Sequence, residues 1–192
     1  MTFHVGVLGL QGDYALHQKS IKRLGLQQSI VRQPEELTLC DALILPGGES
    51  TTFVKLLKKT GLFEAIIEFN RNKPIMGTCA GLITLATNLT NDSLETLGLI
   101  DLSVERNGFG RQVDSFIDTI QVSALKPKSA FEAVFIRAPR IKTLGDDVQA
   151  LATWHDEVIM ARNESVLGLT FHPELTQDSR IHQYFVNTFL KT

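Results

Sequence analysis

The chain has 192 residues with 19 basic and 21 acidic side chains, which gives a formal net charge of −2. Its 43% of apolar residues and 21% of charged residues are ordinary proportions for a globular protein. This balance argues against binding to nucleic acid or to an anionic membrane through bulk charge, since proteins that bind in that way carry a basic excess. The length fits one domain, residues 1–192, with a core large enough to fold without a metal or a disulfide.

The cysteines and the uncharged segments indicate in which cellular compartment the protein is found. Cys40 and Cys79 form no CxxC pair, and no cluster of cysteine and histidine has zinc-site spacing, so we expect no metal and no cofactor. The start of the chain lacks the basic segment of a signal peptide. The uncharged run 74–91 contains glycine, asparagine and threonine, which favour a buried strand and helix over a membrane span. We therefore expect a cytoplasmic, reduced protein.

The first half of the chain alternates short apolar runs with helical patterns. The run 3–10 is largely apolar, which is typical of a strand that is covered on both faces. Further strands are predicted at 28–31, 41–45 and 74–77, and helices at 13–24, 50–58, 62–70 and 79–88. Strands that alternate with helices imply crossover connections and a mostly parallel sheet.

The second half of the chain is richer in strand patterns. Strands are predicted at 97–105, 115–122, 133–137, 148–153, 158–162 and 166–171, with turn signals between them. A final helix is predicted from about 178 to 190, because Ile181, Phe185 and Phe189 form one apolar stripe. We therefore expect an α/β fold with a mostly parallel central sheet, flanked by helices and extended by antiparallel strands.

A glycine-flanked cysteine is the first pattern that suggests chemistry. In the segment 77–81, Cys79 lies between two glycines at the junction of a predicted strand and a predicted helix. Such glycines permit a sharp turn that exposes a nucleophile, and the N–H of Ala80 becomes available to an oxyanion. The helix N-terminus favours the thiolate. The alternative is an inert buried thiol, which is how we interpret Cys40.

His172 is the best candidate for the base that a cysteine nucleophile needs. It ends an apolar strand, and Glu174 follows two residues later, so in an extended segment the two side chains point the same way. The carboxylate would then orient the imidazole, as in a Cys-His-Glu triad. The alternative is an exposed histidine beside a glutamate. We interpret the other four histidines, His4, His17, His155 and His182, as surface or core residues.

A second glycine pair follows the predicted strand 41–45. Gly47 and Gly48 allow the backbone to approach a ligand closely, and Ser50 is suited to cap the next helix. A phosphate loop is disfavoured because the Gly-x-x-x-x-Gly-Lys pattern is missing. We expect the N–H groups of Gly48 and Ala80 to form an oxyanion hole, and the alternative is a plain turn.

These segments resemble a known family over nearly the whole chain. The Gly-Gly loop, the cysteine turn and His172-Pro-Glu174 resemble the class I (triad) glutamine amidotransferases. Further segments are similar to the glutaminase subunits of glutamine-dependent pyridoxal 5′-phosphate synthases, with no departure at a catalytic position. The segments that carry this second resemblance are 9–12, 46–52, 77–82, 104–114, 134–139 and 171–176.

The resemblance implies a flavodoxin-like fold and assigns roles to residues. It places Cys79, His172 and Glu174 in the triad, with Gln11 organising the oxyanion loop around Gly48. The residues that map to the glutamine site are Gly47, Gly48, Glu49, Arg106, Ile136 and Arg137. An arginine suits the α-carboxylate of the substrate and a carboxylate suits its α-ammonium group, but the spacing does not divide these roles.

The resemblance also implies an activity and a partner. The chain would hydrolyse L-glutamine and pass ammonia to a separate TIM-barrel synthase subunit, in a complex of twelve and twelve subunits. Docking would complete the oxyanion loop, so the isolated chain should be weakly active. Three alternatives remain open at this point: another class I glutaminase, such as the one that feeds imidazole glycerol phosphate synthesis, a non-catalytic protein on the same scaffold, and a γ-glutamyl peptide hydrolase.

Overall fold

The computed structural model describes residues 3–108, 115–125 and 130–190. The α-helices are α1 Tyr14–Arg23, α2 Ser50–Thr60, α3 Leu62–Asn70, α4 Ala80–Leu85 and α5 Arg180–Phe189, and the 3₁₀ helices are Pro34–Leu39 and Pro173–Leu175. The strands are β1 His4–Leu8, β2 Gln27–Val31, β3 Ala42–Leu45, β4 Ile75–Thr78, β5 Ala86–Leu89, β6 Ile100–Glu105, β7 Ser115–Ile120, β8 Phe131–Ile136, β9 Arg140–Leu144, β10 Gln149–Trp154, β11 Glu157–Arg162 and β12 Val166–Leu169. Residues 109–114 of the motif 104–114 lie outside the described part.

The central sheet has seven strands in the order β10-β11-β12-β4-β3-β1-β2. The pairs from β12 to β2 are parallel, whereas β10 and β11 extend the sheet in antiparallel fashion. Two smaller sheets, β5-β6-β9 and β7-β8, pack beside it. The predicted α/β class with a mostly parallel sheet and an antiparallel extension is therefore confirmed.

Three local predictions were wrong. The helix predicted at 79–88 ends at Leu85, and the next four residues form β5, which pairs with β6. Strand β9 was not predicted, although it completes the same small sheet. Strand β12 belongs to the parallel core rather than to the antiparallel addition. In each case cross-strand pairing, which connects segments distant in sequence, decided the outcome over local pattern.

Each face of the central sheet covers its own apolar core. Alternate residues of β3 point to opposite faces, with Leu43 and Leu45 on one side and Ala42 and Ile44 on the other. The first face packs against α2, α3 and the sheet β5-β6-β9, and the second against α1, α5 and the hairpin β7-β8. Both faces are thus covered, as the apolar strands predict.

The topology places four loops at one edge of the sheet. Strands β1, β3, β4 and β12 run parallel, so the segments that follow them emerge together at their carboxyl ends. These segments carry Gln11, Gly47–Glu49, Cys79 and His172. In open α/β sheets, ligands bind outside this edge. Within the described ranges, no helix has the length and apolar character that crossing a membrane requires.

Candidate active site

A cavity of about 310 Å³ opens at this edge of the sheet, a size suited to a small molecule. Its lining includes most of the site residues predicted from the sequence: Gly47, Gly48, Glu49, Cys79, Arg106, Ile136, Arg137 and His172. Three predicted residues do not line it. Gln11 lies behind the glycine loop, Glu174 lies behind His172, and Ala80 begins helix α4.

Cys79 occupies a strained turn between β4 and α4. Its φ of 49° and ψ of −105° lie in a region that residues other than glycine rarely adopt. Two hydrogen bonds hold it there, because Cys79 N–H donates to Leu169 O at 2.8 Å and Ile83 N–H donates to Cys79 O at 3.1 Å. A Cβ on Gly81 would lie 2.1 Å from Leu45 O, so the turn requires a glycine at that position. The sharp turn expected from the sequence is present.

The thiol of Cys79 faces the cavity with little solvent contact. The residue is 6% exposed, and its Sγ lies 3.8 Å from Ile136 O. Ala80 is the first residue of α4, and its N–H therefore has no acceptor within that helix. A backbone N–H without an acceptor in its own helix therefore follows directly after Cys79 in the chain.

His172 contacts a carboxylate through one ring nitrogen, and its other ring nitrogen, Nε2, has no hydrogen-bond partner among the described residues. Its backbone N–H donates to Val134 O at 2.8 Å, and its ring atom Nδ1 lies 2.8 Å from Glu174 Oε1. Burial disfavours the imidazolium, but the interactions with Cys79 and Glu174 outweigh it and raise the pKa of His172 to about 10. A Cβ on Gly47 would lie 2.3 Å from His172 Cε1. Glycine at position 47 therefore leaves room for the ring.

Glu174 is buried behind the imidazole. Burial raises its pKa, but the neighbouring His17 and His172 lower it, to about 2 in balance. The expectation of an extended segment was wrong, because Pro173–Leu175 forms a 3₁₀ turn. Proline at the first position of that turn has the φ that such a turn needs. The turn nevertheless brings the carboxylate to the ring.

Gln11 ties the glycine loop to the first loop of the chain. Its Nε2 donates to Glu49 O at 3.1 Å, and its Oε1 accepts from Glu49 N–H at 3.3 Å. Gly48 has a φ of 145°, and a Cβ there would lie 2.6 Å from Gln11 Nε2. The backbone conformation of residues 47–49 therefore depends on the side chain of Gln11.

Glu49 caps helix α2, a role that the sequence suggested for Ser50. Its carboxylate accepts hydrogen bonds from Thr51 N–H at 2.9 Å and Thr52 N–H at 2.7 Å. Desolvation raises its pKa, but the bonds from Thr52 and Thr51 outweigh that effect and lower the pKa to about 2. Glu49 therefore stays ionised at the mouth of the cavity.

Arg106 crosses the mouth of the cavity beside Glu49. Its Nη2 donates to Thr51 Oγ1 at 3.1 Å and lies 3.4 Å from Glu49 Oε1, and its Nη1 pairs with Asp92. Asn91 receives the backbone N–H of Arg106 at 3.1 Å and donates to its carbonyl. These supporting residues were not predicted from the sequence, because nothing in the spacing marks Asp92 as a partner of Arg106.

Backbone strain concentrates around the cavity. Three of the non-glycine residues with positive φ, namely Cys79 at 49°, Asn107 at 53° and Arg137 at 41°, line it. Such strain persists only where the surrounding structure imposes it, and it clusters at functional sites. Arg137 is exposed and follows Ile136, whose carbonyl contacts the thiol. The site thus combines a thiol, an imidazole, backbone N–H groups and two guanidinium groups.

Two histidines that the sequence did not single out lie behind Glu174. His17 Nε2 is 3.3 Å from Glu174 Oε2, and His17 Nδ1 is 2.9 Å from His182 Nε2. Both rings are fully buried. The sequence pattern could have indicated that they are buried, because each histidine lies on the buried face of its helix, as do Ile21 in α1 and Ile181 in α5. In the described ranges, no group of three or more histidine, cysteine and acidic residues is placed to hold a metal.

Comparison with known proteins places the chain among glutamine amidotransferases. The relatives named pyridoxal 5′-phosphate synthase subunit PdxT include one from Thermosipho africanus, 44% identical over 97% of this chain and 99% of its own length. Another, from Fervidobacterium nodosum, is 48% identical over 95% of each chain. A solved glutamine amidotransferase superposes with a TM-score of 0.92 at 42% identity, covering 97% of this chain and 99% of that one.

A more distant structure supports the fold alone. PurLQS from Thermotoga maritima is 18% identical, with a TM-score of 0.73 and full coverage of both chains (100% each). The expected class I glutamine amidotransferase fold is thereby confirmed. The SNO glutamine amidotransferase family matches residues 7–191, nearly the whole sequence. The chain therefore belongs to the SNO glutamine amidotransferase family.

Proposed function

We propose that this chain hydrolyses L-glutamine to L-glutamate and ammonia, as the glutaminase subunit of a pyridoxal 5′-phosphate synthase. One observation carries the proposal: Cys79, on a strained turn, shares a cavity with His172, whose Nδ1 lies 2.8 Å from a buried carboxylate. The names of relatives that are 44–48% identical over nearly the whole chain support the synthase assignment. Amide hydrolysis is the chemistry that this set of groups can perform.

The mouth of the cavity has the charges that a free amino acid requires. The guanidinium groups of Arg106 and Arg137 suit the α-carboxylate, since arginine binds carboxylates through paired donors. The ionised carboxylate of Glu49 suits the α-ammonium group. Glutamine bound in this way directs its side-chain amide inward to Cys79. Gly47, Gly48 and Ile136 complete the binding surface through their backbone.

The first half-reaction forms a thioester. The Cys79 thiolate attacks the amide carbon of glutamine, and the N–H groups of Gly48 and Ala80 stabilise the tetrahedral oxyanion. One such donor contributes about 3–4 kcal/mol to transition-state stabilisation. The His172 imidazolium protonates the departing nitrogen as the C–N bond breaks, so ammonia leaves and the glutamyl group remains on sulfur. Glu174 orients the ring throughout.

The second half-reaction hydrolyses the thioester. Neutral His172 removes a proton from water, and the resulting hydroxide attacks the thioester carbonyl in the same oxyanion site. The C–S bond breaks, glutamate leaves, and the proton on His172 restores the thiolate–imidazolium pair. The new carboxyl group loses its proton, so each turnover consumes one glutamine and one water and releases one glutamate, one ammonia and one proton.

The ammonia that this reaction releases must be delivered to a partner protein. Ammonia that escapes into neutral water becomes ammonium and loses its nucleophilicity, so a glutaminase that serves synthesis should deliver it directly. The partner in the proposal is a TIM-barrel synthase subunit, in a complex of twelve and twelve subunits. Docking at the glycine loop would complete the oxyanion hole, because Gln11 couples that loop to a neighbouring loop through both backbone groups of Glu49.

Glutamine hydrolysis by the wild type and Cys79→Ala, each with and without the cognate synthase subunit, tests the proposal. We expect the complex to turn over glutamine faster than the isolated chain. The substitution should reduce turnover by roughly 10⁴-fold or more while the complex still assembles, because the thiol is the nucleophile. Hydrolysis by Cys79→Ala at the wild-type rate would refute the mechanism. An isolated chain as fast as the complex would refute activation by docking.

A further inference from the structure

A buried polar chain runs inward from the proposed triad into the core. Glu174 Oε1 faces His172, and Glu174 Oε2 faces His17 Nε2 at 3.3 Å. His17 Nδ1 then meets His182 Nε2 at 2.9 Å. The three side chains come from the turn after β12, from α1 and from α5, so only the folded chain brings them together. All three residues are at most 3% exposed.

The second oxygen of Glu174 depends on His17. At 3.3 Å the contact lies within ion-pair distance but is not a well-aligned hydrogen bond, and Glu174 Oε2 has no hydrogen-bond partner within the described ranges. A buried carboxylate oxygen without a donor is costly. His17 Nε2 also lies within hydrogen-bond distance of Thr78 Oγ1, at 3.4 Å, and that hydroxyl can either donate or accept. His17 is therefore the donor that this oxygen has available.

The pairing determines the tautomers of both rings. A carboxylate oxygen only accepts, so His17 Nε2 carries the proton, and a neutral ring then leaves Nδ1 as an acceptor. His182 Nε2 donates to that acceptor. His182 Nδ1 is left as a bare lone pair, which agrees with its lack of a hydrogen-bond partner among the described residues. The opposite tautomers would set a lone pair of His17 against the carboxylate.

Burial favours the neutral form of both rings. Burial lowers the pKa of His17 and, together with the neighbouring His17 ring, lowers the pKa of His182 to about 3. The charged groups that face them are Glu174, His172 and Asp13 around His17, and Glu174 and Arg23 around His182. A neutral donor stabilises the Glu174 carboxylate and leaves the His172 imidazolium as the positive charge that pairs with it.

We propose that His17 is a positioning residue of the glutaminase: it fixes the Glu174 carboxylate through Oε2, and His182 fixes the tautomer that His17 needs for that contact. The proposal rests on the triad of the proposed function. With both oxygens held, Glu174 keeps one rotamer and presents Oε1 to His172. Without His17, the carboxylate gains freedom and orients the imidazole less well, so the imidazolium beside Cys79 is less stable.

Three substitutions at position 17 separate positioning from packing. His17→Gln places an amide N–H where Nε2 stands, so it keeps the donor to Glu174. His17→Asn places its amide where Nδ1 stands, so it keeps only the contact with His182. His17→Leu removes both contacts. Ser20→Ala is the matched control, because Ser20 is also fully buried on α1 but does not touch the triad.

The kinetic readout is glutamine turnover by the complex with its synthase subunit. We expect His17→Leu and His17→Asn to lower kcat about 10- to 100-fold, as loss of an outer-shell partner does, with little change in KM. His17→Gln should recover most of kcat, and Ser20→Ala should match the wild type. Thermal denaturation of every variant shows whether it is folded, and the Gln and Asn pair keeps the test valid if His17→Leu fails to fold.

The second readout needs no glutamine and no partner. Alkylation of the full chain by iodoacetamide, followed by mass spectrometry of the Cys79 peptide, reports the thiolate beside His172. We expect His17→Leu and His17→Asn to slow alkylation at neutral pH and to move its pH midpoint upward, and His17→Gln to restore both. The Cys79→Ala variant measures the background from Cys40, which is buried.

The outcomes distinguish this inference from the proposed function. A wild-type complex without glutaminase activity, together with a Cys79 alkylation profile that depends on His17, would refute the function and support the positioning role. An active wild type with folded His17→Leu and His17→Asn variants that match it in both readouts would overturn the inference alone. A folded His17→Gln variant as deficient as His17→Asn would also overturn it.

Discussion

The mouth of the cavity and the buried group behind it use charge in opposite ways. We call that group, formed by Glu174, His17 and His182, the floor, although it lies behind His172 and does not line the cavity. At the mouth, the side chains of Glu49, Asp92 and Arg106 are 52%, 32% and 18% exposed, and water and salt screen their interactions. At the floor, the side chains of Glu174 and His17 are fully buried (0% exposed), so each contact acts in a low dielectric. We infer that the floor governs the rate of the reaction and that the mouth governs affinity for the amino acid.

Glu174→Gln should give the largest effect at the floor. The amide keeps the size of the carboxylate, but it removes the charge and sets an N–H against either His172 or His17. We expect kcat to fall about 10⁴-fold, since neutralising the orienting carboxylate of a triad has an effect of that order. KM should change little. Steady-state kinetics of the complex measure this.

Glu64→Gln is the control for the Glu174 variant, because Glu64 is an exposed carboxylate on α3. It should behave as the wild type. A folded Glu174→Gln variant that loses less than tenfold in kcat would mean that the floor does not govern the rate.

Arg106→Ala should give the next largest effect and should act at the mouth. We expect KM for glutamine to rise about 10- to 100-fold, because a hydrogen bond to a charged group contributes about 1.5–3 kcal/mol. Arg106→Lys should recover only part, since lysine lacks the paired donors. Arg71→Ala, at an exposed arginine of a separate ion pair, is the control. A change in kcat with constant KM would contradict the assignment to the mouth.

The buried histidines predict how stability depends on pH. The pKa of His182 is about 3 in the folded chain, below its ordinary value of 6.5, so the unfolded chain takes up the proton first. The stability that neutral His182 contributes to the fold is fully present above pH 6.5 and is lost as the pH falls toward 3. Over that range the free energy of unfolding falls by up to about 1.4 kcal/mol per pH unit. Glu174 has the same effect at lower pH, because its pKa falls from the ordinary 4.5 to about 2, so the stability it contributes is lost as the pH falls through that range.

Urea denaturation between pH 6.5 and 4.5 therefore tests the floor without catalysis. In this window we expect the free energy of unfolding to fall less steeply for His182→Gln than for the wild type. His155→Gln, at an exposed histidine in the turn before β11, should keep the wild-type slope. Equal slopes for all three proteins would show that His182 is not held neutral. Above pH 6.5, His172 acts in the opposite sense, because its raised pKa of about 10 means that stability is lost as the pH rises toward that value.

Asp92→Asn should give the smallest effect. Asp92 pairs with Arg106 at a partly exposed position, and such pairs contribute about 0.2–1 kcal/mol. We expect KM to rise about two- to fivefold at low ionic strength, and the difference from the wild type to shrink at high salt. Glu95→Gln, in the exposed ion pair with Lys58, serves as the control. A salt-independent change in KM would place Asp92 with the floor rather than the mouth.

Local patterns in the sequence predicted much of this site. The glycines around Cys79 predicted the turn because only a residue without a Cβ fits beside Leu45 O. His172 and Glu174 were paired through their spacing, although a 3₁₀ turn rather than an extended segment brings them together. The cap of α2 was assigned to Ser50 instead of Glu49, since both residue types can cap a helix and only the backbone geometry separates them.

The sequence by itself determined the α/β class, the turn at Cys79 and the pairing of His172 with Glu174, because these follow from residues close together in the chain. Arg106 and Arg137 entered the predicted site only through the family resemblance. Only the tertiary structure decided that β12 joins the parallel core, that Asp92 holds Arg106, and that His17 and His182 lie behind Glu174. Those contacts join residues from 14 to 165 positions apart. Spacing along a chain does not encode such distances, because they depend on how whole helices and strands pack.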